Sequence, residues 1–118
     1  ITSHQASTPG LLATARAYTD DGGWLAEVVE HLRGNATLLG KLLEREVPEI
    51  GYREPEGTYL AWLDTTALGP QNPARHFAEH GVVTTDGAAF GVPRFTRFNV
   101  AASRETLERA IERMAASL

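Results

Sequence analysis

Phe95-Thr96-Arg97-Phe98-Asn99-Val100-Ala101 is the stretch that decides the fold, because its aromatic and apolar residues predict a β-strand over Phe95–Ala101. Successive side chains of a strand point to opposite faces, so Arg97 shares a face with Phe95 and Asn99. A guanidinium on such a face needs an anionic partner, and its planar fork matches a carboxylate. Two interpretations of Arg97 stay open. It could receive a substrate carboxylate, or it could pair with an internal Asp or Glu or reach water.

The elements around this strand predict an α+β fold. The best second strand is Thr58–Asp64, which is apolar on both faces and is therefore expected to be covered on both. Two long helices over a small sheet of about three strands make a two-layer sandwich. The remaining predicted elements are short strands at Ile50–Glu54 and Val82–Thr84, helices at Pro9–Tyr18, Gly23–Val47 and Pro73–His80, and a last helix capped by Ser103.

Apolar residues spaced by three and four predict the buried faces of the two long helices. The predicted stripes are Leu25, Val28, Val29, Leu32, Ala36, Leu39 and Leu43 in the first helix, and Leu107, Ile111, Met114 and Leu118 in the second. Gly34 and Asn35 interrupt the first stripe without changing its phase, so we expect one helix there and not two.

Trp24 and Trp62 could line a pocket, but large aromatic side chains are more often part of a core, which is the interpretation we favour.

Length and composition limit the possible functions. The chain has 118 residues, which fits a single domain over residues 1–118. Its net charge of −4 gives no reason to expect nucleic acid or an anionic membrane as a partner. The absence of cysteine excludes disulfides, thiolate metal sites and a cysteine nucleophile, and it is compatible with a cytoplasmic location.

Few residues in the chain are candidates for chemistry on their own. His76 and His80 lie four apart on a short helix, but without a third ligand we expect a surface face and no metal site. Lys41 is the only lysine, and its place on the polar side of the long helix predicts a solvated side chain. The Gly-rich stretch Asp86–Pro93 lacks the spacing of phosphate-binding loops and is expected to shape the edge of a site.

Several segments in order resemble one family over essentially the whole chain. They are similar to the last third of the fold-type I pyridoxal-phosphate (PLP) enzymes, the class I/II aminotransferase superfamily. Within it they most resemble the aminotransferase-like carbon–sulfur β-lyases of cystathionine β-lyase type. The segments are Ala6-Ser7-Thr8-Pro9-Gly10-Leu11, Trp24-Leu25, Glu56–Asp64, Asp86–Gly91, Arg97–Ala101 and Ser103–Glu108.

This resemblance implies a site and a cofactor. Arg97 would bind the α-carboxylate of an amino-acid substrate, Asn99 would flank the site from the same strand, and Tyr59 and Phe90 would border the pocket. Arg94 is an extra base beside the motif, but Phe98-Asn99 places the motif on Arg97. The family implies homodimers with PLP bound between a large and a small domain. Its cofactor lysine and most other PLP ligands would precede this chain.

We therefore expect residues 1–118 to be the C-terminal small domain of a PLP-dependent C–S β-lyase or transaminase, with the upstream large domain absent. Such a chain would bind a substrate carboxylate and have no catalytic residue of its own. The alternative is a freestanding, non-catalytic carboxylate-binding or interaction domain. If a large domain normally covers one face, that face would be apolar and exposed here, and the chain would self-associate.

Overall fold

The computed structural model describes residues 7–19 and 22–118. Ala6, the first residue of the family-like segment Ala6–Leu11, lies outside the described residues. Residues 1–31 and 32–118 form two compact units. The elements in chain order are α1 (Thr8–Thr19), α2 (Trp24–Glu46), β1 (Gly51–Tyr52), β2 (Leu60–Asp64), α3 (Pro73–Glu79), β3 (Thr85–Asp86), a 3₁₀ helix (Gly87–Phe90), β4 (Phe95–Asn99) and α4 (Arg104–Ala116).

The first unit is helical and exposed in its described part. Ser7 accepts a hydrogen bond from the Gly10 backbone N–H at 3.2 Å, which is the expected start of α1. None of the residues of α1 is buried. Leu25 and Val29, at the beginning of α2, are also exposed, so the predicted buried stripe is wrong for this part of the helix.

The second unit is built on an antiparallel sheet in the order β1-β2-β4-β3. Its register sets Trp62 opposite Arg97 and Leu63 opposite Thr96. Alternation then gives the sheet two different faces. Buried residues of one face, Ala61, Leu63 and Phe98, join the core together with Leu39 of α2 and Ile111 of α4. The α+β prediction is confirmed, with four strands where about three were expected.

The edge strand β3 lies later in the chain than the sequence predicts. Val82–Thr84 forms no strand, and Thr85 and Asp86 pair with β4 instead. Gly81 adopts a left-handed conformation, with φ of 82°, at the end of α3. The Val82 N–H donates to the Phe77 carbonyl at 2.8 Å, so the helix terminus takes the backbone donor that a strand would need.

Two further residues of the helices differ from the sequence prediction: Asn35, which is buried, and Leu118, which is exposed. α2 is continuous, as expected, but Asn35 is a fully buried residue and not an interruption. Its Nδ2 donates to the Val100 and Ala102 carbonyls, each at 2.8 Å, and so ties the helix to the segment after β4. Leu107, Ile111 and Met114 are buried as predicted, whereas Leu118 lies beyond the end of α4 and is exposed.

Candidate functional site

The second face of the sheet forms the floor of an open groove of about 890 Å³. The connection between β1 and β2 supplies one side of the groove, and the 3₁₀ helix before β4 supplies part of the other. Apolar walls with a few polar groups are typical of a small-molecule site. The groove is lined by Gly51, Tyr52, Arg53, Glu54, Pro55, Glu56, Thr58, Leu60, Trp62, Asp64, Phe90, Phe95 and Arg97.

Arg97 lies on the groove floor, between Trp62 of β2 and Thr85 of β3 in the strand register. Its guanidinium carbon is 4.7 Å from the centroid of the Phe90 ring. The Nε atom is buried and has no hydrogen-bond partner among the residues that the structure describes. No described carboxylate forms a salt bridge with it either, so the internal Asp or Glu partner considered from the sequence is not found there. The guanidinium is therefore available to a ligand.

Three aromatic rings form a wall beside Arg97. Trp62 contacts Phe90 edge to face, with centroids 5.5 Å apart, and contacts Phe95 at 6.3 Å. Trp62 is 39% exposed and Trp24 is 65% exposed, so the prediction that both belong to a core is wrong. β2 is apolar on both faces because one face joins the core and the other lines the groove. The sequence predicted that both faces would be covered, but the described residues leave the groove face open.

The turn that carries Phe90 is held by local backbone contacts. Asp86 caps the 3₁₀ helix by accepting a hydrogen bond from the Ala88 N–H at 2.9 Å. Gly91 ends it in a left-handed conformation with φ of 77°. A Cβ on Gly87 would lie 2.4 Å from the Val92 carbonyl oxygen and 2.6 Å from that of Phe95, so only glycine fits there. The Gly-rich stretch thus shapes the groove edge, as the sequence predicts.

Arg94 has a structural role, which separates it from Arg97. One of its terminal nitrogens donates to the Thr66 carbonyl at 2.8 Å and to the Leu68 carbonyl at 2.5 Å. Its own backbone carbonyl accepts from the Thr65 N–H at 3.1 Å. These contacts hold the segment after β2 against the start of β4. Arg94 does not line the groove, whereas Arg97 does.

Acidic residues also line the groove, and two lining residues, Asp64 and Tyr52, have shifted pKa values, although the Tyr52 phenol itself packs on the core side of the sheet. Two hydrogen bonds donated by Thr66, from the hydroxyl at 2.6 Å and from the backbone N–H at 3.0 Å, lower the pKa of Asp64. Burial, and secondarily the charge of Glu54, raises the pKa of Tyr52 to about 12. The Tyr52 hydroxyl donates to the Ala36 carbonyl at 3.1 Å, so this phenol supports α2.

Tyr59 and Asn99 are not among the residues that line the groove. Asn99 follows Arg97 on the same face of β4, but its Oδ1 accepts a hydrogen bond from the Ala101 N–H at 2.8 Å and so caps the strand end. Tyr59 is 47% exposed, and its carbonyl accepts from the Val100 N–H. Trp62 lines the groove, so the pocket interpretation that the sequence analysis set aside in favour of the core is the one that fits its position opposite Arg97.

The remaining candidate residues lie elsewhere. Lys41 is exposed on α2 and does not line the groove. His76 Nε2 contacts the Ser117 carbonyl, and His80 Nδ1 contacts the His76 carbonyl, each at 2.8 Å. In residues 7–19 and 22–118 there is no cluster of three or more His, Cys, Asp or Glu suited to a metal. The helices of the same ranges include none long and apolar enough to cross a membrane.

Comparisons with known proteins agree with one another. The family described as "Aminotransferase class I and II" matches residues 1–114. The cystathionine beta-lyase of Corynebacterium glutamicum is 35% identical, covering 100% of this chain and 32% of that protein. The PLP-bound C-S lyase of Staphylococcus hominis has a TM-score of 0.82 and 28% identity, over 94% of this chain and 31% of that one.

A second solved structure gives the same result. Cystalysin of Treponema denticola, which contains a pyridoxal 5'-phosphate cofactor, superimposes with a TM-score of 0.84 and 28% identity. The match covers 94% of this chain and 29% of that chain. The chain spans about a third of the length of the curated relatives it matches.

Proposed function

The chain belongs to the class I and II aminotransferase family, and from that premise we propose that it is the substrate-binding small domain of a larger PLP-dependent enzyme that acts on an amino acid. In this proposal Arg97 binds the α-carboxylate of the substrate. The parent enzyme is a C–S β-lyase or a transaminase, in keeping with the relatives named cystathionine beta-lyase and C-S lyase. The same relatives support a large domain elsewhere in the parent protein.

The geometry of Arg97 is the observation that carries this proposal. A cation on the floor of an open groove, without an ion-pair partner in the described chain, has donors for an anionic ligand. Two parallel N–H···O bonds to a carboxylate fix both its position and its plane. Arg97 would therefore orient the substrate, and it would take no part in proton transfer because a guanidinium stays protonated.

The residues present do not form a complete PLP site. The groove is lined by no lysine, and Lys41 lies exposed on α2. PLP, when bound in the parent, supplies an electron sink for cleavage of bonds at the substrate α-carbon. In our proposal this chain contributes the carboxylate receptor and the aromatic wall of Trp62 and Phe90, which excludes water from one side of the substrate.

Two further parts of the proposal are finer. Asn99 would flank the site from the strand that carries Arg97, and Tyr59 would border it from the segment before β2. Both side chains lie outside the groove lining, so their contact with a substrate would depend on what the rest of the parent adds. We also propose a cytoplasmic homodimer for the parent, with the small and large domains enclosing the substrate.

Titration of L-alanine into the 118-residue chain, followed by NMR, tests the role of Arg97. We expect saturable shifts at Arg97 and Trp62 in the wild type. Arg97→Ala should weaken binding by about 10- to 100-fold, because charge-assisted hydrogen bonds contribute about 1.5–3 kcal/mol. Arg53→Ala is the matched control, since this groove arginine is 91% exposed and should be dispensable. Equal binding by wild type and Arg97→Ala would contradict the proposal.

A further inference from the structure

Phe90 lines the groove and also contacts the guanidinium of Arg97 directly. The guanidinium carbon lies 4.7 Å from the centroid of the Phe90 ring, within the range of a cation–π contact. Phe90 in turn contacts Trp62: the two rings are perpendicular, and their centroids are 5.5 Å apart. Arg97, Phe90 and Trp62 thus form one contact series on the open face of the sheet.

The ring of Phe90 is held by its backbone more than by burial. It is 48% exposed, so the core does not fix it. Instead, the Asp86 cap, the left-handed Gly91 and the tight approach at Gly87 define the 3₁₀ turn that projects it over β4. An aromatic ring held half-exposed by its backbone keeps apolar surface in contact with water and adds little to the core. Its position therefore indicates a role in the groove.

The contact restricts how Arg97 can receive a ligand. An arginine has many rotamers, and ordering one on binding costs free energy. A ring over the guanidinium limits that freedom before the ligand arrives. Because Nε is buried, the terminal nitrogens are the donors left for a carboxylate. Phe90 would thus restrict the guanidinium without using the hydrogen-bond donors of its terminal nitrogens.

We propose that Phe90 is a positioning residue, which holds the guanidinium of Arg97 so that its terminal nitrogens face the groove and donate hydrogen bonds to a carboxylate. This inference rests on the proposed function of Arg97 as the carboxylate receptor. It adds that the affinity of the receptor depends on an aromatic ring at residue 90. An aliphatic side chain of similar size would fill the space but would not hold the cation.

The test compares Phe90→Leu and Phe90→Tyr by NMR in the 118-residue chain. Ring currents of Phe90 should displace the Arg97 Nε–H proton signal upfield in the wild type. Phe90→Leu should remove this displacement and weaken L-alanine binding by about two- to fivefold, the effect of one exposed cation–π contact. Phe90→Tyr keeps a ring and should restore both. Val92→Ala, an exposed apolar position in the same loop, is the control and should change neither.

The outcomes separate this inference from the proposed function. If wild type binds, Arg97→Ala does not, and Phe90→Leu binds as wild type does, the positioning role is overturned while the carboxylate receptor stands. Equal binding by wild type and Arg97→Ala overturns both. Loss of binding in Phe90→Leu together with a changed backbone amide spectrum outside residues 86–97 would mean a structural role, and it too would overturn the inference.

Discussion

Arg94, just before β4, and Arg97, within it, show how two like residues three positions apart come to differ. Both were candidates from the sequence, and the family motif favoured Arg97. In the structure Arg94 donates to the Thr66 and Leu68 carbonyls, whereas Arg97 has no such partner in the described chain. Alternation along β4 predicts the face of Arg97, but the backbone acceptors of Arg94 come from another segment, so no local pattern reveals them.

Tyr52 gives a prediction on pH. Its pKa is raised to about 12, chiefly by burial. Between the unfolded pKa of about 10 and the folded value, the native state keeps a proton that the unfolded state has lost, so stability falls as pH rises through this range. We expect one of the three tyrosines to ionise near pH 12 when absorbance at 295 nm is followed. Tyr52→Phe should remove that step; an unchanged titration would contradict the assignment.

Asn35 gives a prediction on stability. Replacing it by Leu keeps the volume but leaves the Val100 and Ala102 carbonyls without their Nδ2 donor. Each buried acceptor left unsatisfied costs about 1–3 kcal/mol, so we expect a loss of roughly 2–4 kcal/mol in urea unfolding. Thr37→Ala, on the exposed side of α2, should cost far less. Similar losses in the two variants would mean that the Asn35 contacts do not matter.

At the scale of elements, the regular patterns were predictable and the connections were not. Helical spacing gave α2 and α4, and the Ser103 cap was found, because these signals are local. The position of β3 and the exposed ends of both helical stripes were missed. The position of β3 depends on the end of α3, where the Val82 N–H donates to a helix carbonyl and not to a strand. The exposed ends of the stripes depend on which surfaces meet another layer of the fold, and Leu118 meets none in the described chain.

The turn before β4 gives the prediction at this scale. Gly87→Ala places a Cβ against two backbone carbonyls, so the turn must shift and Phe90 must move from Arg97. We expect a clear loss of thermal stability, on the order of several degrees, together with weaker carboxylate binding. Gly69→Ala is the matched control, because nothing lies within 4 Å of its added Cβ. A Gly87→Ala chain as stable as Gly69→Ala would contradict the packing described here.

At the scale of the whole molecule, the family and the α+β fold could be predicted from ordered segments, but the open groove could not. β2 looks two-sided in sequence, and only the register shows which face lies over the core. Trp62, Phe90 and Tyr59 are all exposed. Self-association through exposed apolar residues therefore stays a prediction, and light scattering at high concentration would check it.

Cofactor chemistry gives the prediction for the chain as a whole. Lys41 is its only lysine and lies away from the groove. Borohydride reduction of the chain mixed with equimolar PLP should therefore give no stoichiometric adduct on Lys41 in a peptide map. Lys41→Arg should leave the L-alanine titration unchanged. A full adduct at Lys41 would show that the chain carries its own cofactor lysine and would contradict the division of roles proposed above.

The pairing of β2 with β4 also bears on how quickly the protein folds. Leu60 meets Asn99 across the sheet, with α3, β3 and the 3₁₀ helix between them in the chain. Closing such a loop costs chain entropy before any of the central pairing is gained. The helices can form early, while the groove floor waits for this distant pairing. We therefore expect the groove floor around Arg97 to be among the last features to assemble, so that its appearance marks completed folding.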